Sequence, residues 1–432
     1  MTLLGNRYLN FERASEVSPS PVEGGVKRLK ICFIQEPLHA GVGRHTVDVA
    51  RDLAARGHEI HVIYSPIRLE QRFLTELGEH PRIHCHAVKM QPGLCLGDIQ
   101  AFWRVKNYVR QNGPFDIIHG ESSKGGGFAR LLKLFGAKHV LYSPHAFVTL
   151  SPVLPLAKRR LFVAIEWLLS HLSDAVVCTS QNEREHALSL GIAKRKLTIV
   201  VNGRTQAAGR DRANIRAGLN ISDEKVVIGF VGRLEAQKAP QRLIDACLKL
   251  MPKLPDLHLL IVGEGSQRAK LEAMLRKAGL EARAIWLGEV DAVQYMPAMD
   301  VLAVPSMYEG FAYVLIEALQ AGLPLVATPV GGAAESIVSG KNGIIVPHYP
   351  AEPLAAALRQ IVMDGELRRR MGQAAIERAS YFSVPRMVDN LENLYYGICD
   401  AIAARPPRRI FSAADWFTSA ANWLYFGTRT GL

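Results

Sequence analysis

Glu309 and Glu317 stand eight residues apart in the stretch SMYEGFAYVLIEALQAGLPLVAT, among neighbours that are almost all apolar. Two carboxylates carried into such a segment have two uses. They can accept hydrogen bonds from the hydroxyls of a ligand, or they can serve as helix caps and buried pairs. On a regular helix, positions eight apart differ by about 80°. Both reach one ligand only if Glu309 lies in a loop ahead of a helix and Glu317 lies within it, and Gly310 suits such a loop. Cations occur where an anion could use them: FVGRLEAQKAP ends a strand at Gly232 and places Arg233 and Lys238 in the loop beyond. A planar fork and a point charge together suit a diphosphate, although a solvated basic loop has the same composition.

Other glycine turns follow strands. EPLHAGVGRH sets Gly41 and Gly43 just before a helix, where backbone N–H groups can bind an anion or a plain tight turn can form. No Gly-Lys-Ser/Thr follows, which excludes a P-loop, and Thr46 occupies the third glycine position of a dinucleotide fingerprint. VGEGSQ, with Glu264, suits a loop beside a nucleotide base; Arg268 at its third glycine position argues against a dinucleotide site. His145 follows Pro144 at a strand end. The chain holds no Asp-x-Asp pair for a divalent metal, so no metal is expected, and charge on a leaving diphosphate falls to cations and helix dipoles.

The elements that must position these groups are legible as short apolar runs, each followed by a turn and a helical pattern. Seven precede residue 205 (KICFIQ, HEIHVIYS, IHCHAV, FDIIHGE, HVLYSPH, DAVVCTS, LTIVVNG) and six follow residue 225 (VVIGFVG, LHLLIVGEG, AIWLGEV, DVLAVPS, PLVATPV, NGIIVP). Continuous apolar strands alternating with helices imply parallel sheets covered on both faces. The fold expected is α/β, with two doubly wound Rossmann-like domains facing across a cleft. The boundaries read as a disordered lead-in over 1–27, a first domain over 28–205, a polar linker over 206–225 and a second domain over 226–388. A helix over 389–404 and a basic, aromatic tail over 405–432 complete the chain.

The 432 residues are 48% hydrophobic and 21% charged, ordinary for a globular protein, with no run long enough to span a bilayer. Six scattered cysteines without a C-x-x-C pair read as buried thiols, and the cytoplasm or the inner face of its membrane is the expected location. Residues 1–205 carry 27 Lys and Arg against 17 Asp and Glu, a net +10 of the chain's +12. That asymmetry suits an acidic partner such as an anionic membrane surface, or serves solubility alone. No nucleic-acid module is present. In the tail, Trp416 and Trp423 share a helical stripe after Arg405, Arg408 and Arg409, a pattern suited to a membrane interface or to packing on the protein itself.

Taken in order, these motifs resemble retaining glycosyltransferases of the GT-B fold, the large group that includes bacterial lipopolysaccharide, exopolysaccharide and phosphatidylinositol mannosyltransferases. Glu309 and Glu317 match that group's Glu-x7-Glu mark. The Gly41–Gly43 turn, SPHAF, VVNG, GRL with Lys238, VGEG, LGEV and PVGG follow over roughly 28–400. The resemblance implies that Glu317 accepts from a nucleotide ribose, that Glu309 lies beside the transferred sugar, and that Gly310 and Phe311 help to bind the donor. Arg233 and Lys238 would hold the diphosphate, and Glu264 the donor's base side. His145 would contact the sugar from the first domain, with Gly41 and Gly43 approaching on closure. The lysine is usually followed by Gly; here it is Ala239. The implied reaction moves a hexose from a UDP- or GDP-linked donor to a glycan or lipid-linked acceptor, with no other cofactor. A nucleotide-sugar epimerase of the same fold and a non-catalytic nucleotide-sugar scaffold are the alternatives. The first would give product without acceptor, the second binding without turnover.

Overall fold

In the computed structural model, which describes residues 27–206 and 211–403, every one of the thirteen apolar runs forms a strand. The expected lead-in, apart from Lys27, and the aromatic tail lie outside the described residues. The first seven strands are β1 (Lys30–Gln35), β2 (Glu59–Tyr64), β3 (Ile83–Ala87), β4 (Ile117–Glu121), β5 (Val140–Ser143), β6 (Ala175–Cys178) and β7 (Leu197–Ile199). They form a parallel sheet in the order 3-2-1-4-5-6-7. Between them run the helices α1 (Ala40–Ala55), α2 (Gln71–Gly78), α3 (Gly97–Asn112), α4 (Ser122–Leu132), α5 (Leu156–Ser170) and α6 (Gln181–Ser189).

The second sheet repeats the plan. Strands β8 (Val226–Val231), β9 (Leu257–Val262), β10 (Ala284–Gly288), β11 (Val301–Val304), β12 (Leu325–Ala327) and β13 (Gly343–Ile345) are parallel in the order 10-9-8-11-12-13. The 206–225 stretch, expected as a linker, holds the helix α7 (Arg212–Gly218). It packs Ile215 into the second core and buries Arg216, whose Nη2 lies 2.7 Å from Asp300 Oδ2. Its polar composition hid this, because the buried charge is paired through a residue 84 positions away. The remaining helices are α8 (Pro240–Leu250), α9 (Arg268–Lys277), α10 (Tyr313–Gln320), α11 (Ala333–Ser336), α12 (Glu352–Met363), α13 (Gly365–Ala379) and α14 (Val384–Ala403).

Helix α14 returns to the first domain. Val384, Met387, Val388, Leu391 and Tyr395 form a stripe at helical spacing and join the core made by β1, β2 and α1. Burying each large apolar side chain contributes about 1.5–3 kcal/mol. Arg56 at the end of α1 then grips Asp389 and Glu392 at 2.6 and 2.8 Å. The cysteines divide: Cys32, Cys178 and Cys247 are buried, as their apolar surroundings suggested, but Cys85 and Cys95 are exposed.

Candidate active site

Both sheets reverse their strand order at one point, between β1 and β4 in the first and between β8 and β11 in the second. In open parallel sheets the crevice beyond the strand ends at such a reversal is where ligands bind. The motif residues sit there. Beyond β8 the loop carries Arg233 and Lys238, beyond β11 it carries Glu309, beyond β1 comes the Gly41–Gly43 turn, and beyond β4 and β5 come Glu121 and His145.

Lys238 Nζ lies 2.7 Å from Glu309 Oε1, and Glu309 is 8% exposed. Arg233 is exposed and donates to Gln237 at 3.0 Å, while Gln237 Nε2 donates to the Tyr308 carbonyl at 3.2 Å. The two basic-loop side chains are thereby tied to the acid-bearing loop. Glu309 precedes α10 and Glu317 lies inside it, the division that their eight-residue spacing requires. Glu317 is met at 3.3 Å by Arg204, which also lies 4.0 Å from Asp48 of α1. Burial raises the Glu317 carboxyl above its usual range, and Arg204 opposes the shift.

The glycines have steric work. A Cβ on Gly263 would stand 2.1 Å from the Gly232 carbonyl oxygen, and one on Gly265 2.6 Å from that of Leu234. The VGEG loop therefore lies backbone to backbone against the Arg233 loop. Its Glu264 is exposed and ion-paired with Arg268. Gly41 and Gly43 fall within the first turn of α1, where Gly43 faces Phe73 and Gly41 faces Tyr313 of the second domain. Phe311 is 8% exposed and its ring packs beneath Gly332, so this residue can offer a ligand only its backbone.

His145 closes the site from the first domain. Its Nε2 is 2.5 Å from Glu121 Oε2, and its ring lies edge-on to His45 at 4.7 Å. Burial holds His145 and His45 down at about 4, so both rings are neutral at pH 7. Pairing with the carboxylate places the His145 proton on Nε2 and leaves Nδ1 as an acceptor. Both His145 (φ 53°) and Ala146 (φ 102°) are in the left-handed region, a backbone strain held by Glu183, which accepts from the Ala146 N–H at 2.7 Å. Behind Glu121, His119 bridges Ser143 (2.8 Å) and Tyr395 of α14 (2.7 Å). His45, Glu121 and His145 offer ligand atoms within 4.8 Å of one another, as do Glu59, His61 and His84, so either trio is close enough for a metal ion. In the first trio, Glu121 and His145 are already hydrogen-bonded to each other.

Several groups here carry no sequence signal. The N-terminus of α6 clasps the second domain: Ser180 Oγ donates to the Gly310 carbonyl at 2.8 Å, and the Gln181 N–H donates to Glu335 Oε1 at 2.6 Å. Tyr313 and His45 share a longer contact of 3.4 Å. Of these residues, only the Ser180-x-x-Glu183 capping pattern could have been found from the sequence.

Two doubly wound parallel-sheet domains, each reversing its strand order once, make up the GT-B fold. The chain belongs to the glycosyltransferase families described as "Glycosyltransferase Family 4", matched over residues 39–205, and "Glycosyl transferases group 1", matched over 211–378. It is 28% identical over 394 residues to a D-inositol 3-phosphate glycosyltransferase of Corynebacterium aurimucosum, covering 85% of this chain and 92% of that one. It is 27% identical to an N-acetyl-alpha-D-glucosaminyl L-malate synthase of Bacillus anthracis, covering 86% and 97%. Among solved structures, Anabaena HepE in complex with UDP and glucose superposes with a TM-score of 0.74 at 22% identity, covering 86% of this chain and 100% of that one. No described helix is long and apolar enough to cross a membrane.

Proposed function

We propose that the protein moves a hexose from a UDP- or GDP-linked donor to a glycan or lipid-linked acceptor, with retention at the anomeric carbon and without a metal ion. The observation that carries this reading is the Lys238–Glu309 pair at 2.7 Å, at the strand reversal of the second domain and facing the first. A cation for the diphosphate and an acid for the sugar are thus adjacent. The UDP bound in HepE favours a UDP-linked donor.

In the reaction, the acceptor hydroxyl oxygen bonds to the anomeric carbon on the face that the diphosphate leaves. The bond from carbon to phosphate oxygen breaks with its electron pair going to the diphosphate, which also takes the acceptor proton. Arg233, Lys238 and the N-terminus of α10 stabilise the charge that develops. Glu309 holds the sugar's hydroxyls, His145 Nδ1 accepts from another, and Glu317 holds the ribose once Arg204 yields it. A thermal-shift screen of nucleotide sugars identifies the donor. The anomeric configuration of the product, read by NMR, then tests retention; an inverted product would sink the reading.

A further inference from the structure

The described residues expose eighteen large apolar side chains, and eleven of them fall between Leu94 and Leu168. That stretch supplies one layer of the first domain. Strands β4 to β7 run outward from β1 in the direction opposite to β2 and β3, so right-handed crossovers place α3, α4 and α5 on one face of the sheet and α1 and α2 on the other. The packing agrees: Ala101 of α3 and Phe128 of α4 share a core with Cys32 and Ile118, whereas α1 packs with α14 in a separate one.

On the outside of that layer the apolar groups are ordered. Leu96, just before α3, and Ile99 and Trp103 on it stand at i, i+3 and i+7, exposed by 88, 63 and 47%. Phe135, in the turn after α4, meets Trp103 at 6.0 Å between ring centroids, and Lys106 Nζ lies about 4 Å over both rings. On α5, Leu161 and Leu168 repeat the seven-residue spacing. Charge around them has one sign. Between residues 91 and 172, Arg104, Arg110, Lys138, Lys158 and Arg160 are exposed, and no acidic side chain is. Asp98 and Glu166 are already paired with Lys124 and Arg130.

We propose that this face of α3 and α5 docks on an anionic lipid bilayer. An exposed apolar face that includes Trp103 and Phe135, with cations and no exposed acids along it, is complementary to an interface with anionic headgroups outside and hydrocarbon beneath. The orientation has a use. Leu94 and Leu96 follow β3, Val153 precedes α5 and Leu156 opens it, so the apolar groups begin at the strand ends that border the cleft. Val153 is only eight residues beyond His145. A docked bilayer therefore lies at the cleft mouth.

The test is sedimentation of the full chain with vesicles of phosphatidylcholine alone or of equimolar phosphatidylcholine and phosphatidylglycerol. Binding is expected to the mixed vesicles only, to fall with added salt, and to be accompanied by quenching of tryptophan fluorescence by brominated lipid. Arg104→Gln with Arg110→Gln and Lys158→Gln should weaken it about a hundredfold, at about fivefold per cation. Leu96→Ser with Leu156→Ser should remove the quenching. All five residues are exposed, so unchanged melting temperatures keep these variants interpretable. Three outcomes overturn the proposal: no binding to mixed vesicles at low salt, equal binding to both vesicles, or binding that both face variants retain and Trp416→Ala with Trp423→Ala abolishes. Self-association of the free protein that Leu96→Ser removes would instead assign the face to a second copy of the chain.

Discussion

Gly310 lies against His145 backbone to backbone, so the two domains touch within the candidate site itself. A Cβ on Gly310 would stand 2.6 Å from the His145 carbonyl carbon and 2.5 Å from the Ala146 nitrogen. Gly310→Ala cannot be absorbed by a flexible side chain, because its neighbours are main chain. Overpacking costs about 1–3 kcal/mol, and here the cost falls on closing the cleft. Transfer at saturating donor is expected to drop about ten- to a hundredfold, at about 1.4 kcal/mol per decade, while urea unfolding changes little. Wild-type turnover would show that the contact is not made during catalysis.

Lys238 and Glu309 are expected to behave as a unit. Losing either leaves a charged partner largely buried, which costs about 1.5–3 kcal/mol or more. Lys238→Ala and Glu309→Ala should each reduce transfer by at least one to two decades. The double variant should lose much less than the product of the two. Strict additivity in such a cycle would separate their roles.

Glu317 and Arg204 predict an effect on binding. Glu317→Ala is expected to raise the donor's dissociation constant about tenfold or more, with a smaller change in kcat. Arg204→Ala should leave Glu317 free of its 3.3 Å partner and change donor affinity without removing the acid. Titration calorimetry with the nucleotide alone decides this; unchanged affinity in both variants would remove the ribose role.

Ala239 sits at φ 46°, at the position where glycosyltransferases of this group usually carry glycine. The left-handed region costs a non-glycine residue about 1–2 kcal/mol, and the extra chain entropy of glycine offsets part of that. Ala239→Gly should therefore raise unfolding stability by about 0.5–1 kcal/mol. A loss of stability would mean that the Ala239 methyl, which is 9% exposed, contributes packing that outweighs the strain.

His45, His119 and His145 are each held down at about 4 by burial, against an ordinary 6.5. Between those values the unfolded chain binds protons that the fold excludes, so the stability these groups permit at pH 7 is lost as pH falls from 6.5 toward 4. Asp48, Glu317 and Glu335, all raised by burial, bind protons in the fold and act in the opposite direction. A comparison isolates one histidine. Wild type should lose about 1.4 kcal/mol per pH unit more than His119→Asn over this window, and parallel curves from urea melts at several pH values would contradict the assignment.

The proposed metal independence has a direct check. Transfer should persist in excess EDTA; loss restored by a divalent ion would give the His45, Glu121 and His145 trio a metal to hold.

The strands were legible because a parallel sheet buried on both faces demands unbroken apolar runs, and KICFIQ or VVIGFV can do little else. The Glu309 and Lys238 loops were legible because their residue types and order match a known pattern. Glu121 was not. HGES reads as a strand end, and its partner His145 is set by the β4–β5 pairing, which juxtaposes Glu121 with Ser143. His119 and Tyr395 meet across 276 residues, and Gln181 and Glu335 across 154; no local periodicity encodes such encounters. Helix α7 was missed because its stability comes from Ile215 and the Arg216–Asp300 pair, not from an amphipathic pattern of its own.

The return of α14 to the first domain has a consequence for synthesis on the ribosome. Strands β1 to β7 emerge first, but Val384, Met387 and Leu391, which seal their core, are made roughly 180 residues later. At about 5–20 residues per second that interval lasts roughly 10–40 s. Throughout it the groove beside α1 that α14 will fill stays open to water. The second domain, whose own strands and helices are contiguous in the chain, completes its core before the first does. The nascent protein therefore finishes its domains in the reverse of the order in which it begins them, with an apolar groove open to chaperones until α14 arrives.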